Sequence, residues 1–73
     1  RGTVIAQAWQ NGRLMIQVHD DAKNVDVVLW MIDAPRTADY VGTDRTVAGT
    51  VRAAQWNARH ARWMIRMDVD HKL

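Results

Sequence analysis

The chain has 73 residues, of which 48% are hydrophobic and 25% charged, and its net charge is +2 at neutral pH. This length predicts one small domain spanning residues 1–73. The sequence contains no cysteine, serine, phenylalanine or glutamate. These absences exclude a disulfide framework, a thiolate zinc site, Ser-His-Asp chemistry and any glutamate base within this chain. No apolar run approaches the roughly 20 residues that cross a bilayer, so we expect no membrane partner, and a cysteine-free chain is compatible with the cytoplasm.

The first half of the chain predicts three strands in meander order. Residues 3–9 are rich in β-branched and aromatic side chains, which favours a strand. Asn11-Gly12 follows, a strong hairpin signal because both residues tolerate positive φ. Residues 13–18 alternate, with Leu14, Ile16 and Val18 on one face and Arg13, Met15 and Gln17 on the other, and residues 19–24 form a polar turn. Residues 25–32 are almost continuously apolar, as in a central strand, and Pro35 ends that strand because proline supplies no N–H.

The second half predicts an irregular loop, a helix and a fourth strand. Residues 33–44 have no regular pattern, and Thr43 or Asp44 could cap a following helix. An apolar stripe at helical spacing comes next; it consists of Val47, Val51, Ala54, Ala58 and Ala61. From Arg62 the apolar residues recur at every second position, which indicates a strand. The predicted order is therefore β-β-β-α-β.

A modest excess of positive charge lies between Arg36 and Arg66, where six arginines face two aspartates. On the predicted helix, Trp56 lies opposite the apolar stripe and is flanked by three arginines, namely Arg45, Arg52 and Arg59. This side of the helix has three interpretations: packing under another segment or subunit, a protein interface, or a surface on which nucleic-acid bases stack.

Candidate metal ligands are few. His19, Asp20 and Asp21 are consecutive, and such neighbours do not point to one site, so a polar turn is the preferred interpretation. Asp68 and Asp70 would share one face of the last strand, but a chain end is a poor scaffold for a cation.

Residues 25–36 read V-D-V-V-L-W-M-I-D-A-P-R. This segment resembles the third strand and following turn of the staphylococcal-nuclease-like (thermonuclease) family, whose pattern is approximately V-R-V-R-L-W-G-I-D-A-P-E. The predicted hairpin before it, and the loop, helix and strand after it, follow the order of that family. The resemblance thus covers most of this chain and about the first two thirds of the family's domain. It implies an OB-fold barrel that cleaves DNA and RNA with a calcium ion.

The same resemblance implies that the catalytic set is degenerate. Asp33 matches an aspartate that helps to hold the calcium ion, and it is the metal-ligand candidate that the resemblance supplies. Arg36 stands where the family has its proposed general-base glutamate, and Val28 stands where the family has a phosphate-binding arginine. Residues 11–13 lack the family's other calcium aspartate. Since losing one transition-state donor typically costs about 10²–10³ in rate, we predict no enzyme activity and no cofactor.

The sequence therefore predicts a mainly β fold with one helix, arranged as a small partial OB-like barrel with an open edge. The first functional hypothesis is a non-catalytic interaction module in a homo-oligomer or with another protein partner. The second is a nucleic-acid-binding module, in which Arg36, Arg45, Arg52 and Arg59 contact phosphates and Trp56 stacks on a base. The third is a calcium-dependent nuclease completed by residues of a partner.

Overall fold

A mixed, six-stranded β-sheet is the whole regular structure of the part of the chain that the computed structural model describes, residues 1–31, 37 and 39–69. The strands are β1 (Gly2–Gln10), β2 (Arg13–Asp20), β3 (Val25–Met31), β4 (Asp44–Arg45), β5 (Gly49–Asn57) and β6 (Arg62–Val69). Their order across the sheet is β4-β1-β2-β3-β6-β5. The β3–β6 pair is parallel, and the other pairs are antiparallel.

The predicted meander is confirmed, including its first turn. Asn11 and Gly12 have φ values of 52° and 77°, and Gln10 pairs with Arg13 across them, as a two-residue hairpin requires. One boundary differs from the prediction, because β2 continues to Asp20 and the following turn contains only residues 21–24. His19, predicted to lie in that turn, is therefore a strand residue with a fixed side-chain direction.

The predicted helix is wrong, because its residues form β4, β5 and the turn before β6. The reason is a β-bulge at Arg52, where the register between β5 and β6 shifts between Val51 and Ala53. The extra residue puts Val51 and Ala54 on the same sheet face although they are three positions apart. That spacing has the same appearance in a sequence as a helical stripe. No described residue is helical, so no described helix is long and apolar enough to cross a membrane.

β4 and the chain before it are bound to β1. The amide of Gly42 donates to the carbonyl of Val4, at 2.8 Å, and the amide of Val4 donates to the carbonyl of Thr43, at 2.9 Å. Gly42 has a φ of 87°, which a residue without Cβ adopts readily. Thr3 Oγ1 donates to Asp44 Oδ1 at 3.1 Å. Thr43 and Asp44, expected to cap a helix, therefore attach the chain to the β1 side of the sheet.

The chain connectivity requires the sheet to be strongly curved. β4 and β5 lie at opposite ends of the strand order, yet only residues 46–48 separate them in sequence. In a flat sheet with strands about 4.8 Å apart, the outer strands would be roughly 24 Å from each other. Four Cα–Cα steps span at most about 15 Å. The sheet must therefore curl so that its two ends approach each other.

The apolar core lies on one face of this curved sheet. Five hydrophobic side chains are fully buried there; they are Val4, Leu14, Ile16, Val18 and Leu29. They come from β1, β2 and β3, and directly paired positions such as Ile16 and Leu29 necessarily point to the same face. Val27, Tyr40 and Val47 pack against this cluster. The core is thus concentrated under the meander, and none of the hairpin residues 49–68, whose burial is described, is a fully buried apolar residue.

Candidate functional site

An exposed aromatic pair is the most prominent feature of the β5–β6 hairpin. Trp56 on β5 lies directly opposite Trp63 on β6, with ring centroids 5.6 Å apart and an interplanar angle of 73°. This edge-to-face geometry is a favourable one for two indoles. Nevertheless, Trp56 is 51% and Trp63 is 49% exposed. Val51, 55% exposed, lies on the same face of β5, so the apolar surface continues along the strand.

The hairpin turn fixes the position of this pair. The Asn57 side-chain oxygen accepts hydrogen bonds from the backbone amides of Arg59, at 3.1 Å, and His60, at 3.4 Å. Such local bonds are the reason asparagine is common in turns. Ala61 closes the turn with a φ of 51°, and its carbonyl accepts a bond from Asn24 Nδ2 at 3.4 Å. The turn is therefore attached to the β2–β3 turn beside it.

β5 is an outermost strand, and the described residues give it no pairing partner other than β6. Eight of its nine residues are exposed. Edge strands in proteins are usually protected by lysines, prolines, inward charges or short length. β5 has nine residues, no proline, and Arg52 as its one charge. The protection that a β-bulge gives is present only at Arg52, which leaves residues 53–57 as a regular, uncharged edge.

The described arginines of the predicted basic face lie on different elements of the structure. Arg52 binds Asp68, with Nε 2.5 Å from Oδ2, so its charge is compensated. Arg45 lies on β4, at the other end of the strand order, with its guanidinium 4.3 Å from the centre of the Tyr40 ring. Arg59 is exposed in the turn beside the tryptophan pair. The structure therefore brings together Arg52, Trp56 and Arg59 on one hairpin, whereas Asp33 and Arg36 lie outside the described residues.

A buried ion cluster was not predicted from the sequence. Asp26 on β3 is completely buried and accepts three hydrogen bonds. Gln17 Nε2 and Arg62 Nε contact Oδ2 at 2.8 and 2.9 Å, and His19 Nδ1 lies 2.6 Å from Oδ1. All four residues point to the face of the sheet opposite the apolar core. The available signal was a single aspartate inside an apolar strand, facing Gln17 and His19 at alternate positions of β2.

The electrostatics of Asp26 favour its charged form. Burial raises the pKa of this carboxyl, but the hydrogen bonds from His19, Gln17 and Arg62, together with the charge of Arg62, outweigh burial and leave the pKa below its ordinary value. The other imidazole nitrogen of His19 lies 3.0 Å from Asp21. A neutral imidazole donates from only one nitrogen, so His19 makes both hydrogen bonds only when it is protonated.

This cluster has little capacity for catalysis. Both His19 nitrogens contact carboxylates, and both Asp26 oxygens already accept hydrogen bonds. A general base needs a nitrogen within reach of a substrate proton, and His19 has none free. Among the described residues, no group of three or more histidine or aspartate side chains is arranged to hold a metal ion. The cluster instead connects β2, β3 and β6.

Comparisons with known proteins give no match: no protein-family model, no curated protein and no solved structure matches this chain at a significant level.

Proposed function

We propose that this chain is a non-catalytic interaction module that associates with a second copy of itself through β5. The observation that carries the proposal is the long, nearly uncharged edge of β5 beside the half-exposed Trp56 and Trp63. Unpaired backbone groups on an edge strand readily pair with another strand. Tryptophan is also the residue type most enriched at the energetic centres of protein interfaces.

A second copy is a suitable occupant because β5 is self-complementary. If two β5 strands pair antiparallel around Gln55, Ala54 of each strand lies opposite Trp56 of the other. Directly opposed residues in an antiparallel pair share a sheet face, so each large indole would cover a small alanine. No like charges would meet in residues 53–57, because these residues are uncharged. The two apolar faces would then form one continuous surface.

An OB-like architecture is the second part of the proposal. The meander followed by parallel pairing of β3 with the last strand supports it, since OB-folds are partly open, five-stranded Greek-key barrels. The curvature required by residues 46–48 gives further support. One element of the nuclease-like resemblance is removed, because the segment expected to match that family's helix is β4, β5 and the turn after it. The resemblance therefore depends on the meander and residues 25–36, where Arg36 and Val28 replace the family's catalytic residues.

Nucleic-acid binding is supported less well by the same hairpin. The half-exposed tryptophans offer stacking surfaces, and Arg59 beside them is available to contact a phosphate. However, Arg52 is compensated by Asp68 and Arg62 by Asp26. Nucleic-acid affinity depends chiefly on the number of phosphates neutralised, so one uncompensated arginine beside the aromatic pair makes a weak site.

The test is the mass of the purified chain in solution, measured by analytical ultracentrifugation over micromolar to millimolar concentrations. We expect a dimer whose dissociation is promoted by Val51→Lys, which places a charge on the β5 edge, and by Trp56→Ala. Val41→Lys is the matched control, because Val41 is an equally exposed valine outside β5. A monomeric wild type at all concentrations, or equal effects of Val51→Lys and Val41→Lys, would contradict the proposal.

A further inference from the structure

A shallow groove crosses the sheet face opposite the tryptophan pair. It has a volume of about 260 Å³ and is lined by Val28, Ala53, Gln55, Met64 and Arg66. The strand register explains this set, because Val28 and Ala53 are the direct neighbours of Arg66 on β3 and β5. The walls of the groove are therefore three adjacent strands, and its apolar surface comes from valine, alanine and methionine side chains.

Arg66 differs from the other two arginines near this face. Arg62 binds the buried Asp26 and Arg52 binds Asp68. Arg66 lies between Arg62 and Asp68 along β6, and within the described residues its guanidinium has no carboxylate partner and no side-chain hydrogen bond. Its direct neighbours on both strands, Val28 and Ala53, are apolar, and Asp68, two positions along on the same face of β6, is bound to Arg52.

We infer that this groove binds a small organic carboxylate with an apolar body. The Arg66 guanidinium would pair with the carboxylate in the two-pronged geometry that arginine favours. The Gln55 amide lies in the same groove and can donate a further hydrogen bond, while Val28, Ala53 and Met64 contact the apolar part. One positive charge matches a monoanion; a phosphate monoester carries about −1.5 to −2 charges at neutral pH, more than this groove neutralises.

Hexanoate is a suitable probe. Hexanol, which has an apolar body without the charge, and inorganic phosphate, which is an anion without an apolar body, are the comparison ligands. Titration is followed by the amide and guanidinium NMR signals of the purified chain. We expect saturable shifts at the groove residues with hexanoate, and much weaker effects with either hexanol or phosphate. Arg66→Gln should weaken hexanoate binding roughly tenfold to a hundredfold, the loss that corresponds to a charge-assisted hydrogen bond.

Arg59→Gln is the control, since Arg59 is another exposed arginine and lies in the hairpin turn away from the groove. It should leave hexanoate binding unchanged. Arg66 is exposed and has no side-chain partner among the described residues, so the variant should retain the thermal stability of the wild type. Equal binding by wild type and Arg66→Gln, equal losses in both variants, or equal binding of hexanoate and phosphate would each overturn the inference. The groove and the β5 edge are tested by different variants, so either idea can fail alone.

Discussion

Because Asp26 is buried, breaking its ion pair should destabilise the fold far more than breaking the exposed Arg52–Asp68 pair on the same sheet face. Asp26 is completely buried and accepts three hydrogen bonds, whereas the side chains of Asp68 and Arg52 are each 56% exposed. Asp26→Asn removes the charge opposite Arg62 and turns an amide N–H toward at least one donor. Breaking a buried pair in this way costs about 3–5 kcal/mol. Asp68→Asn, the same chemical change at an exposed pair, should cost about 0–1 kcal/mol.

These costs are large relative to the total stability of so small a domain. At roughly 0.05–0.15 kcal/mol per residue, a chain of this length has a free energy of unfolding of about 4–11 kcal/mol. The assay is urea denaturation followed by circular dichroism, with both variants measured beside the wild type. Gln17→Met is included because it removes only one donor to Asp26, and it should cost about 1 kcal/mol even if Asp26→Asn does not fold. If Asp26→Asn is no more destabilising than Asp68→Asn, the buried Asp26 cluster does not hold the sheet together.

Three further predictions follow from single features. Folding lowers the pKa of Asp26 from its ordinary value of 3.8. Its contribution to stability is therefore present above that pH and is lost as the pH falls through the folded-state pKa. The difference in free energy of unfolding between wild type and Asp26→Asn, measured by urea denaturation, should shrink in acid. Ala61→Gly should raise the free energy of unfolding by about 0.5–1 kcal/mol. A left-handed φ costs an L-residue about 1–2 kcal/mol, and the greater chain entropy of glycine in the unfolded state offsets part of the gain. Ala58→Gly in the same turn is the control and should not raise the melting temperature. Single-stranded oligonucleotides should bind weakly even at low salt in a fluorescence-anisotropy titration, and tight binding that falls steeply with salt and requires Arg59 would favour the nucleic-acid hypothesis instead.

The meander could be predicted because its sequence signals are local. Asn11 and Gly12 both adopt the positive φ values that such a turn requires, and the buried apolar residues of β2, Leu14, Ile16 and Val18, recur at every second position. β5 could not be predicted because its bulge at Arg52 changes the phase of the alternation. Without that extra residue, Val51, Ala54 and Trp56 would not share a face. A bulge is set by the pairing with β6, so no pattern within β5 reveals it.

The sequence identifies individual residues of the candidate site but not their contacts, because these contacts depend on pairing between strands. The sequence identifies Trp56 as an unusual residue, but its contact with Trp63 depends on hairpin pairing that a helix does not have. Helical spacing groups Arg45 with Arg52, whereas the structure places Arg45 on β4, paired with β1, and Arg52 in the bulge of β5. In the sequence, Asp26 is a single charged residue within an otherwise apolar strand. Its partners Gln17, His19 and Arg62 come from two other strands, and only the register between strands brings them to one carboxylate.

The buried cluster and the proposed interface are mechanically connected through Arg62. Arg62 is the first residue of β6, so its contact with Asp26 attaches the start of this strand, and with it the β5–β6 hairpin, to the meander. Among the residues of β5 and β6 whose burial is described, no apolar side chain is fully buried, so strand pairing, this ion pair and the Asn24–Ala61 bond are important attachments of the hairpin. Weakening the Asp26 cluster should therefore loosen the orientation of β5 before the meander unfolds. A Gln17→Met variant should accordingly dimerise less tightly than wild type while remaining folded, and unchanged dimerisation would show that the hairpin is held in place independently of the cluster.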